Sequence, residues 1–235
     1  MLEPIEPSTE RSESENASAP NGSDDALHAP RSERSGRSDT WRREHTDIPD
    51  RTFPLNAFHI RESNPDMFCI PPHWHEHLEW IAIAQGRFSV QVGASLRELS
   101  AGDCAFVNAA QLHAAFPLEP GSSLHALVFG EALLRNHAID HTETRYVRPL
   151  LEGRLGLRSF YEKETAKRIA PQLLSIVDEY RDAAPGYELL VKASLLAALG
   201  LALRESSADR EREPSGRDDT GNTEKKASYI RCCCI

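Results

Sequence analysis

The sequence predicts a mainly β domain, a barrel or sandwich of short strands, followed by C-terminal helices. Between residues 67 and 129, segments that suit β-strands are separated at even intervals by turn residues such as Gly, Asn and Asp. After Gly130 the spacing of apolar residues changes from every second residue to every third or fourth, which is typical of helices. The polar stretches at both ends contain few large apolar residues, so we expect the core to lie between them.

The composition divides the 235 residues into four parts. We expect residues 1–51 to be a disordered N-terminal tail and residues 204–235 to be a disordered linker and tail. Such polar segments cannot bury enough apolar surface to offset their ordering entropy. Residues 52–137 are predicted to form the β barrel, and residues 138–203 a helical region.

The chain has no recognisable targeting segment. No apolar run approaches the roughly 20 residues that a membrane helix needs. The N-terminus has neither the basic start nor the apolar segment of a secretory signal. The five cysteines do not suggest a disulfide framework, since three of them are adjacent at 232–234. We therefore expect a cytoplasmic protein with no membrane partner.

The predicted strands begin with an arm near Phe53. In chain order the strand-like segments are 53–60, 67–70, the strand that runs on from Pro71 to Gln85, 87–92, 96–99, 104–107 and 123–129. In segment 87–92 the alternation places Phe88, Val90 and Val92 inward, so we expect Phe88 to line the interior. Trp74 and Trp80 fall on the outward face of their strand, where packing is their expected role.

The motif at the centre of the domain is His73-x-His75-x3-Glu79. Successive side chains of a strand point to opposite faces, so we expect these three residues and His77 to share one face of a single strand. Ile81 continues that face as an apolar floor. The pattern predicts a pocket that is polar at one end and apolar at the other, which suits a small molecule.

A second motif follows, in which a Gly102-Asp103 turn leads through an apolar strand to His113. The two motifs together resemble the paired signature of the cupin superfamily, although Ala110 stands where that signature usually has Gly. The resemblance implies a jelly-roll barrel, also called a double-stranded β-helix. It also implies a single pocket formed by His73, His75, Glu79 and His113.

The helical region is predicted to be an antiparallel helix pair at 162–181 and 187–203. Pro171 lies inside the first helix, where we expect a kink or a restart. The second helix is apolar around most of its circumference, so we expect one face to contact a second subunit. The residues predicted to dimerise are Leu189, Leu196, Leu199 and Leu203.

With the helix pair included, residues 52–203 resemble the ligand-binding and dimerisation half of the AraC/XylS-type transcription regulators. The segments that carry the resemblance are 71–79, 85–86, 101–103, 111–113, 146–151, 176–180 and 186–193. The resemblance implies a non-enzymatic homodimer that binds a small polar effector such as a sugar, with no cofactor. The expected effector-binding residues are His73, His75, Glu79, His113, Ile81 and Phe88.

The regulator family also has a DNA-binding domain of two helix-turn-helix units, which needs on the order of 100 residues. Only the 32 residues from Arg204 to Ile235 follow the second helix, so the chain looks truncated before that domain. The net charge of -9 also opposes nucleic-acid binding. We therefore expect no direct DNA binding by this chain. We expect it to affect transcription only by forming mixed dimers with full-length relatives.

One alternative stays open at this point. Three imidazoles and a carboxylate suit zinc, iron, nickel or manganese, so His73, His75, Glu79 and His113 are also candidate ligands of a divalent metal. In that case the chain would be a stand-alone metal-dependent cupin enzyme, a dioxygenase or an isomerase. Otherwise the same four side chains would form hydrogen bonds with an effector or with one another.

Overall fold

The fold is that of a computed structural model, which describes residues 2–5, 43, 44, 48, 50–62, 68–136, 138 and 140–212. Ten strands are seen in this part of the chain. They are Leu2–Ile5 (β1), Leu55–Glu62 (β2), Ile70–His73 (β3), Leu78–Gln85 (β4), Arg87–Val92 (β5), Ser95–Ser100 (β6), Cys104–Val107 (β7), His113–Pro117 (β8), Ser122–Phe129 (β9) and Phe160–Tyr161 (β10).

The strands form two antiparallel sheets, one of six strands in the order β1-β2-β9-β4-β7-β10 and one of four in the order β3-β8-β5-β6. Their inner faces share one apolar core, which combines Ile81 and Ile83 of the large sheet with Phe88, Val90 and Leu99 of the small sheet. The predicted mainly β fold with a jelly-roll barrel is therefore confirmed. The inward positions predicted for strand 87–92 are also correct, since Phe88 and Val90 are fully buried.

The helices follow the sheets in sequence. They are a 3₁₀ turn at Glu131–Leu133, a π-helical segment at Glu143–Val147, and the α-helices Arg148–Leu151 (α1), Lys163–Asp182 (α2) and Tyr187–Arg212 (α3). Ala183 ends α2 in the left-handed conformation, and Gly186, at φ 91°, allows the chain to turn back. The hydroxyl oxygens of Ser175 and Ser194 lie 3.4 Å apart, which makes α2 and α3 an antiparallel pair.

Helices α2 and α3 cover the outer face of the large sheet. Trp80 and Phe106 point outward from the sheet, and their ring centroids are 4.8 Å apart. They lie in a second apolar core, called the outer core below, which includes Ile169 and Leu173 of α2 and Leu195 of α3. Strand β4 is therefore buried on both faces, which explains why Leu78 to Ile83 are all buried without alternation. The packing role predicted for Trp80 is confirmed.

The helices differ from the predicted restart at Pro171 and from the predicted end at residue 203, while a kink at Pro171 stays a prediction. Helix α2 continues through Pro171 without a restart, because Pro171 lies on the exposed face, where water can satisfy the carbonyl group left without a partner. Helix α3 runs nine residues beyond the predicted end at residue 203, because no Gly or Pro lies between that residue and Pro214.

More than one part of the predicted N-terminal tail is ordered, and the first strand belongs to it. Leu2–Ile5 pairs with β2 and lies at the edge of the large sheet. Ile5 packs against the outer core, and this contact opposes the entropy cost of ordering a short segment. Most of the segments predicted to be disordered, 6–42 and 213–235, lie outside the described residues, so the proposed domain boundaries stay predictions.

No helix among the described residues is long and apolar enough to cross a membrane.

The contact between α2 and the sheet predicts a sharp difference between two neighbouring leucines. Leu173 is fully buried in the outer core, whereas Leu174 is 43% exposed on the same helix. We expect Leu173→Ala to lower the free energy of unfolding by about 2–5 kcal/mol, because it removes apolar contacts and leaves a cavity. Leu174→Ala makes the same change in helix propensity, and its free energy of unfolding should stay within about 0.5 kcal/mol of that of the wild type. Urea unfolding followed by circular dichroism measures both, and equal losses would contradict the packing described.

Candidate metal centre

The four predicted pocket residues come from three strands and one link between the two sheets. His73 ends β3, Glu79 is the second residue of β4, and His113 begins β8. His75 lies in the segment that connects β3 with β4. The prediction of one continuous strand from Pro71 to Gln85 is therefore wrong.

The break in that strand has a structural cause. Strand β3 belongs to the small sheet and β4 to the large sheet, so the chain must leave one sheet and enter the other between His73 and Leu78. The crossing brings His75 and Glu79 together, although they are not on one strand face. His77 is not part of the group of potential ligands, and it contributes its carbonyl oxygen instead.

The register of the small sheet places His73 beside His113. These two residues are direct partners on the antiparallel strands β3 and β8, and their ring centroids are 4.1 Å apart. Glu79 approaches from the large sheet, where its partners are Val107 on β7 and Val128 on β9. The group therefore joins the inner faces of both sheets.

The carboxylate of Glu79 is the common contact of two imidazoles. Its Oε2 atom lies 3.0 Å from His75 Nε2 and 2.9 Å from His113 Nε2. The side chains of all three residues are at most 3% exposed, whereas that of His73 is 17% exposed. The four potential donor atoms all lie within 4.8 Å of one another, so these residues could hold a metal ion.

Backbone carbonyls orient the three imidazoles in the same way. The Nδ1 atoms of His73, His75 and His113 lie 2.8, 3.1 and 2.9 Å from the carbonyl oxygens of Pro71, His77 and Gln111, respectively. A carbonyl can only accept, so each Nδ1 donates a proton. Nε2 is then the ring atom that faces the interior of the group, where at His75 it contacts the carboxylate of Glu79 and where it would bind a metal ion once deprotonated. This is the arrangement that fixes metal-binding histidines.

A nearby loop holds His75 in place. The amide of Ala110 donates to the carbonyl oxygen of His75 at 2.7 Å, which ties the crossing segment to the loop between β7 and β8. Ala110 has φ 59°, a left-handed conformation that is unfavourable for a residue with a β-carbon. That conformation explains why the cupin signature usually has Gly at this position.

The electrostatics of the group fit a cation. Burial alone would raise the pKa of Glu79, but the adjacent imidazoles of His113 and His75 hold it well below its usual range. Burial would likewise lower the pKa of His73, but the carboxylate of Glu44 and the Pro71 carbonyl raise it above its usual value. Glu79 is therefore a buried anion that needs positive charge beside it.

One buried nitrogen provides a direct test of the fit. His113 Nε2 is fully buried and has no well-aligned hydrogen-bond partner among the described residues, although it lies close to Glu79. A buried nitrogen without a partner is unfavourable, and a metal ion at that position would satisfy its lone pair. The donor set of three imidazole nitrogens and one carboxylate oxygen suits zinc, iron, nickel or manganese.

The remaining predicted pocket residues lie at different depths. Ile81 is two residues beyond Glu79 on the same inner face and is fully buried. Phe88 lies at the far end of β5, whereas Val92 is the β5 residue directly opposite His113. Val92, which was predicted to point inward, and Val107 are therefore apolar neighbours of the group. Their position beside it depends on strand register, which is not visible in a linear pattern.

The sequence analysis also missed Arg43 and Glu44, which fall in the segment predicted to be disordered. Glu44 Oε2 lies 2.8 Å from His73 Nε2. Neither residue is part of a recognisable motif, so no signal in the sequence could have placed them at the site.

The predicted dimerisation residues are not equivalent in the structure. Leu199 is buried in the outer core of its own chain, and Leu196 is packed against that core. Leu189 is 75% exposed and its neighbour Leu190 is 51% exposed. Leu203 is partly buried. Dimerisation itself stays a prediction, and the first turn of α3 offers the exposed apolar side chains that it requires.

A separate cavity of about 250 Å³ lies between the barrel edge and the segment after α1. None of the four residues of the metal centre lines it. The lining residues are Glu76, Leu78, Asn108, Ala109, Glu131, Leu150, Leu151, Gly153, Leu155 and Gly156.

The chain is thus a small β-barrel protein with an internal site. The barrel is an antiparallel jelly roll, and the site is the histidine and glutamate group on its inner face. The cupin domain family matches residues 64–127, which include all four residues of the group. The chain therefore belongs to the proteins that contain a cupin domain, and this part of the predicted resemblance is confirmed.

Solved structures of other proteins are similar to part of this chain. KdgF from Halomonas sp. is 30% identical over 32% of this chain and 67% of that chain, with a TM-score of 0.30. An oxalate decarboxylase is 20% identical over 32% of this chain and 21% of that one, with a TM-score of 0.30. The Bacillus subtilis oxalate decarboxylase is 18% identical over 32% and 20%, with a TM-score of 0.29.

These similarities are limited in extent. The chain spans about a fifth of the length of the oxalate decarboxylases that it matches. Comparison with curated proteins gives no match. None of these findings identifies the chain as an AraC/XylS-type regulator, so that part of the resemblance is not supported.

The prediction that this chain is not an enzyme is wrong. The three histidines and Glu79 form a group compatible with a metal ion. Such a group points toward an enzyme. The chemistry of the ligand set becomes evident only when the fold brings the four side chains together inside the barrel.

Two further histidines lie away from the metal centre. His59 and His125 are partners on β2 and β9, and their rings stack 4.8 Å apart on the sheet face that α2 covers. His59 therefore does not line the pocket, and His125 lies in the wall of the barrel. Burial and the proximity of His59 lower the pKa of His125 to about 4, and the nearby charges of Asp178 and Arg181 have smaller, opposing effects.

This depressed pKa predicts a loss of stability in acid. The unfolded chain binds a proton at this site near pH 6.5 and the folded chain near pH 4, so the free energy of unfolding falls as pH drops through that window. We expect a contribution of about 1–2 kcal/mol after allowance for solvent screening. Urea unfolding at pH 7 and pH 4.5 should show a smaller decrease for His125→Gln than for the wild type. His141→Gln, at an exposed histidine, should behave like the wild type, and equal slopes in all three would contradict the prediction.

Proposed function

We propose that this chain is a metal-dependent cupin enzyme in which His73, His75, Glu79 and His113 bind one divalent cation. The observation that carries the proposal is the shared orientation of the three imidazoles. Each Nδ1 donates to a backbone carbonyl, and the Nε2 atoms of His75 and His113 lie at the buried carboxylate of Glu79. With Nδ1 held by a carbonyl, Nε2 is the atom of each ring that is oriented for an ion.

The chain's own residues would hold, orient and shield the ion. Three neutral imidazoles and one carboxylate leave one positive charge on a divalent cation, which can attract an anionic or strongly polar substrate. The bound ion would supply Lewis-acid chemistry, or redox chemistry if it is iron or manganese. The proposed reaction class is a dioxygenation or an isomerisation of a small molecule.

The walls of the site restrict access. Val92, Val107 and Ile81 are fully or almost fully buried around the group and exclude water from its inner side. His73 is the most exposed of the four ligands, so a substrate would approach from its side. The inner core is filled by buried side chains, which favours a substrate small enough to bind at the mouth of the barrel.

Metal binding is the first prediction of this proposal. We expect the purified full chain to bind about one equivalent of Zn²⁺ or Mn²⁺, measured by elemental analysis after dialysis against the metal salt. An ion at about 100 times its Kd should raise the free energy of unfolding by about 2.7 kcal/mol, which a thermal-shift assay detects. Glu79→Gln and His113→Ala should lose both the bound metal and the shift.

Glu98→Gln is the matched control, since Glu98 is an exposed carboxylate on β6, away from the group. It should bind metal like the wild type. Circular dichroism of each variant shows whether it is folded, so that loss of metal is not confused with loss of structure. Metal binding by Glu79→Gln at wild-type affinity, or no binding by the wild type, would contradict the proposal.

A second candidate function is effector sensing by a dimer, as the resemblance to regulators implies. The observation that favours it is the helix pair on the outer face of the barrel, with Leu189 and Leu190 exposed at the start of α3. Exposed large apolar residues on a helix are typical of subunit contacts. In this function the ligand of the site would be a small polar effector such as a sugar, and a mixed dimer with a longer relative would transmit the signal.

Dimerisation through α3 predicts a specific effect of charge. We expect the wild type to sediment as a dimer at micromolar concentration and Leu189→Glu to weaken the dimer at least about tenfold, because a charge would be buried without a partner. Leu96→Glu is the control, since Leu96 is 53% exposed and lies on β6 of the small sheet, whereas the helices cover the large sheet. A wild type that sediments as a monomer would exclude this second function.

A further inference from the structure

The cavity beside the segment after α1 lies across the barrel wall from the metal centre. Leu78 and Asn108 line it. Leu78 belongs to the outer core, whereas the next residue of β4, Glu79, points inward to the metal centre. Residues 150–156 close the cavity from the opposite side. The cavity is therefore a separate space on the outer side of the large sheet.

The floor of the cavity is apolar. Leu78 and Leu150 are 4% and 5% exposed, and Leu151 and Leu155 are partly buried. The volume of about 250 Å³ is that of about eight water molecules in the liquid, at about 30 Å³ each. A floor of this kind and a volume of this size suit a ligand with a small hydrocarbon body, such as one aromatic ring.

Two glycines leave one wall of the cavity without side chains. A β-carbon at Gly153 or Gly156 would meet no atom within 4 Å. Gly153 has φ 70°, a left-handed conformation that requires glycine where α1 ends. The φ of Gly156 lies outside that region, so a larger residue can be placed at this wall without strain. This wall is therefore open to a ligand, and its opening can be changed by one substitution.

The polar wall of the cavity carries negative charge. Glu76 and Glu131 line it, and none of the described residues around the cavity is basic. Arg43 is paired with Oε1 of Glu76 at 2.6 Å. Arg135 is paired with Oε2 of Glu131 at 3.1 Å. Within the described part of the chain the second oxygen of each carboxylate has no ion-pair partner, so it can accept a hydrogen bond from a ligand. A cation that donates hydrogen bonds is therefore favoured over an anion.

We propose that this cavity binds a small organic cation, which consists of a primary ammonium group on a hydrocarbon body of about one ring. The ammonium group would pair with the lining carboxylates, and the hydrocarbon body would pack on Leu78 and Leu150. This second site goes beyond the proposed function, because no residue that lines it belongs to the metal centre. Its ligand would adjoin the crossing segment at Glu76 and the β7–β8 loop at Asn108.

The test compares three probes of similar size on the ¹⁵N-labelled full chain by NMR titration. They are 2-phenylethylammonium, 2-phenylethanol and phenylacetate. EDTA is present throughout, so that the amine cannot bind through a metal ion. We expect 2-phenylethylammonium to shift the amide signals of Asn108, Gly153 and Gly156 until they saturate. It should bind about tenfold more tightly than 2-phenylethanol, because two carboxylates line the cavity and one exposed ion pair contributes about threefold. Phenylacetate should bind most weakly.

Two variants connect this binding to the cavity. Gly156→Leu should abolish the shifts caused by all three probes, because its side chain takes up space at the open wall. Glu131→Gln should weaken the binding of 2-phenylethylammonium about threefold and leave that of 2-phenylethanol unchanged. Glu98→Gln is the matched control, since Glu98 is an exposed carboxylate on β6, and it should bind all three probes like the wild type. Circular dichroism shows whether each variant is folded.

Several results would overturn the inference. Equal affinities for the three probes would exclude a site for a cation. Binding that a folded Gly156→Leu leaves unchanged would exclude this cavity, and if that variant does not fold, an unchanged ammonium affinity in Glu131→Gln has the same meaning. Shifts confined to the metal centre or to the start of α3 would place the probe elsewhere. Since no metal ion takes part, failure of this test and failure of the proposed metal site are distinguishable.

Discussion

The structure depends most on the buried carboxylate of Glu79. It lies on the inner face of the large sheet, is almost completely shielded from water, and remains ionised because His75 and His113 contact the same oxygen. A buried anion without such partners would be strongly unfavourable. The two sheets must therefore lie close enough for His113 to contact Glu79. This one carboxylate links the stability of the barrel to the chemistry of its interior.

The crossing of the chain from β3 to β4 makes that contact possible. Because β3 and β4 belong to different sheets, the segment between them brings His75 beside Glu79 and places its backbone against the β7–β8 loop. The same crossing exposes the edge that Arg43 and Glu44 occupy. Ligand geometry, loop conformation and the docking of the N-terminal segment are thus consequences of one topological step.

The helix pair has a different role in this arrangement. Helices α2 and α3 cover the outer face of the large sheet with Ile169, Leu173 and Leu195, so β4 is rigid from both sides where it presents Glu79 inward. A site whose ligands sit on such a strand is preorganised. The exposed leucines at the start of α3 are not needed for this support, which leaves them available for a contact between subunits.

The sequence by itself determined most of the strands and the two long helices, the inward position of Phe88 and Val90, the packing of Trp80, and the residue types of the central group. These follow from local patterns, since side-chain alternation and apolar spacing are properties of neighbouring residues. It did not determine that the central strand breaks after His73, that Val92 lies opposite His113, or that Glu44 reaches His73 from a polar segment. Those features depend on which strands pair and where the chain changes sheets, and such long-range contacts are decided only when the two sheets close around a common core.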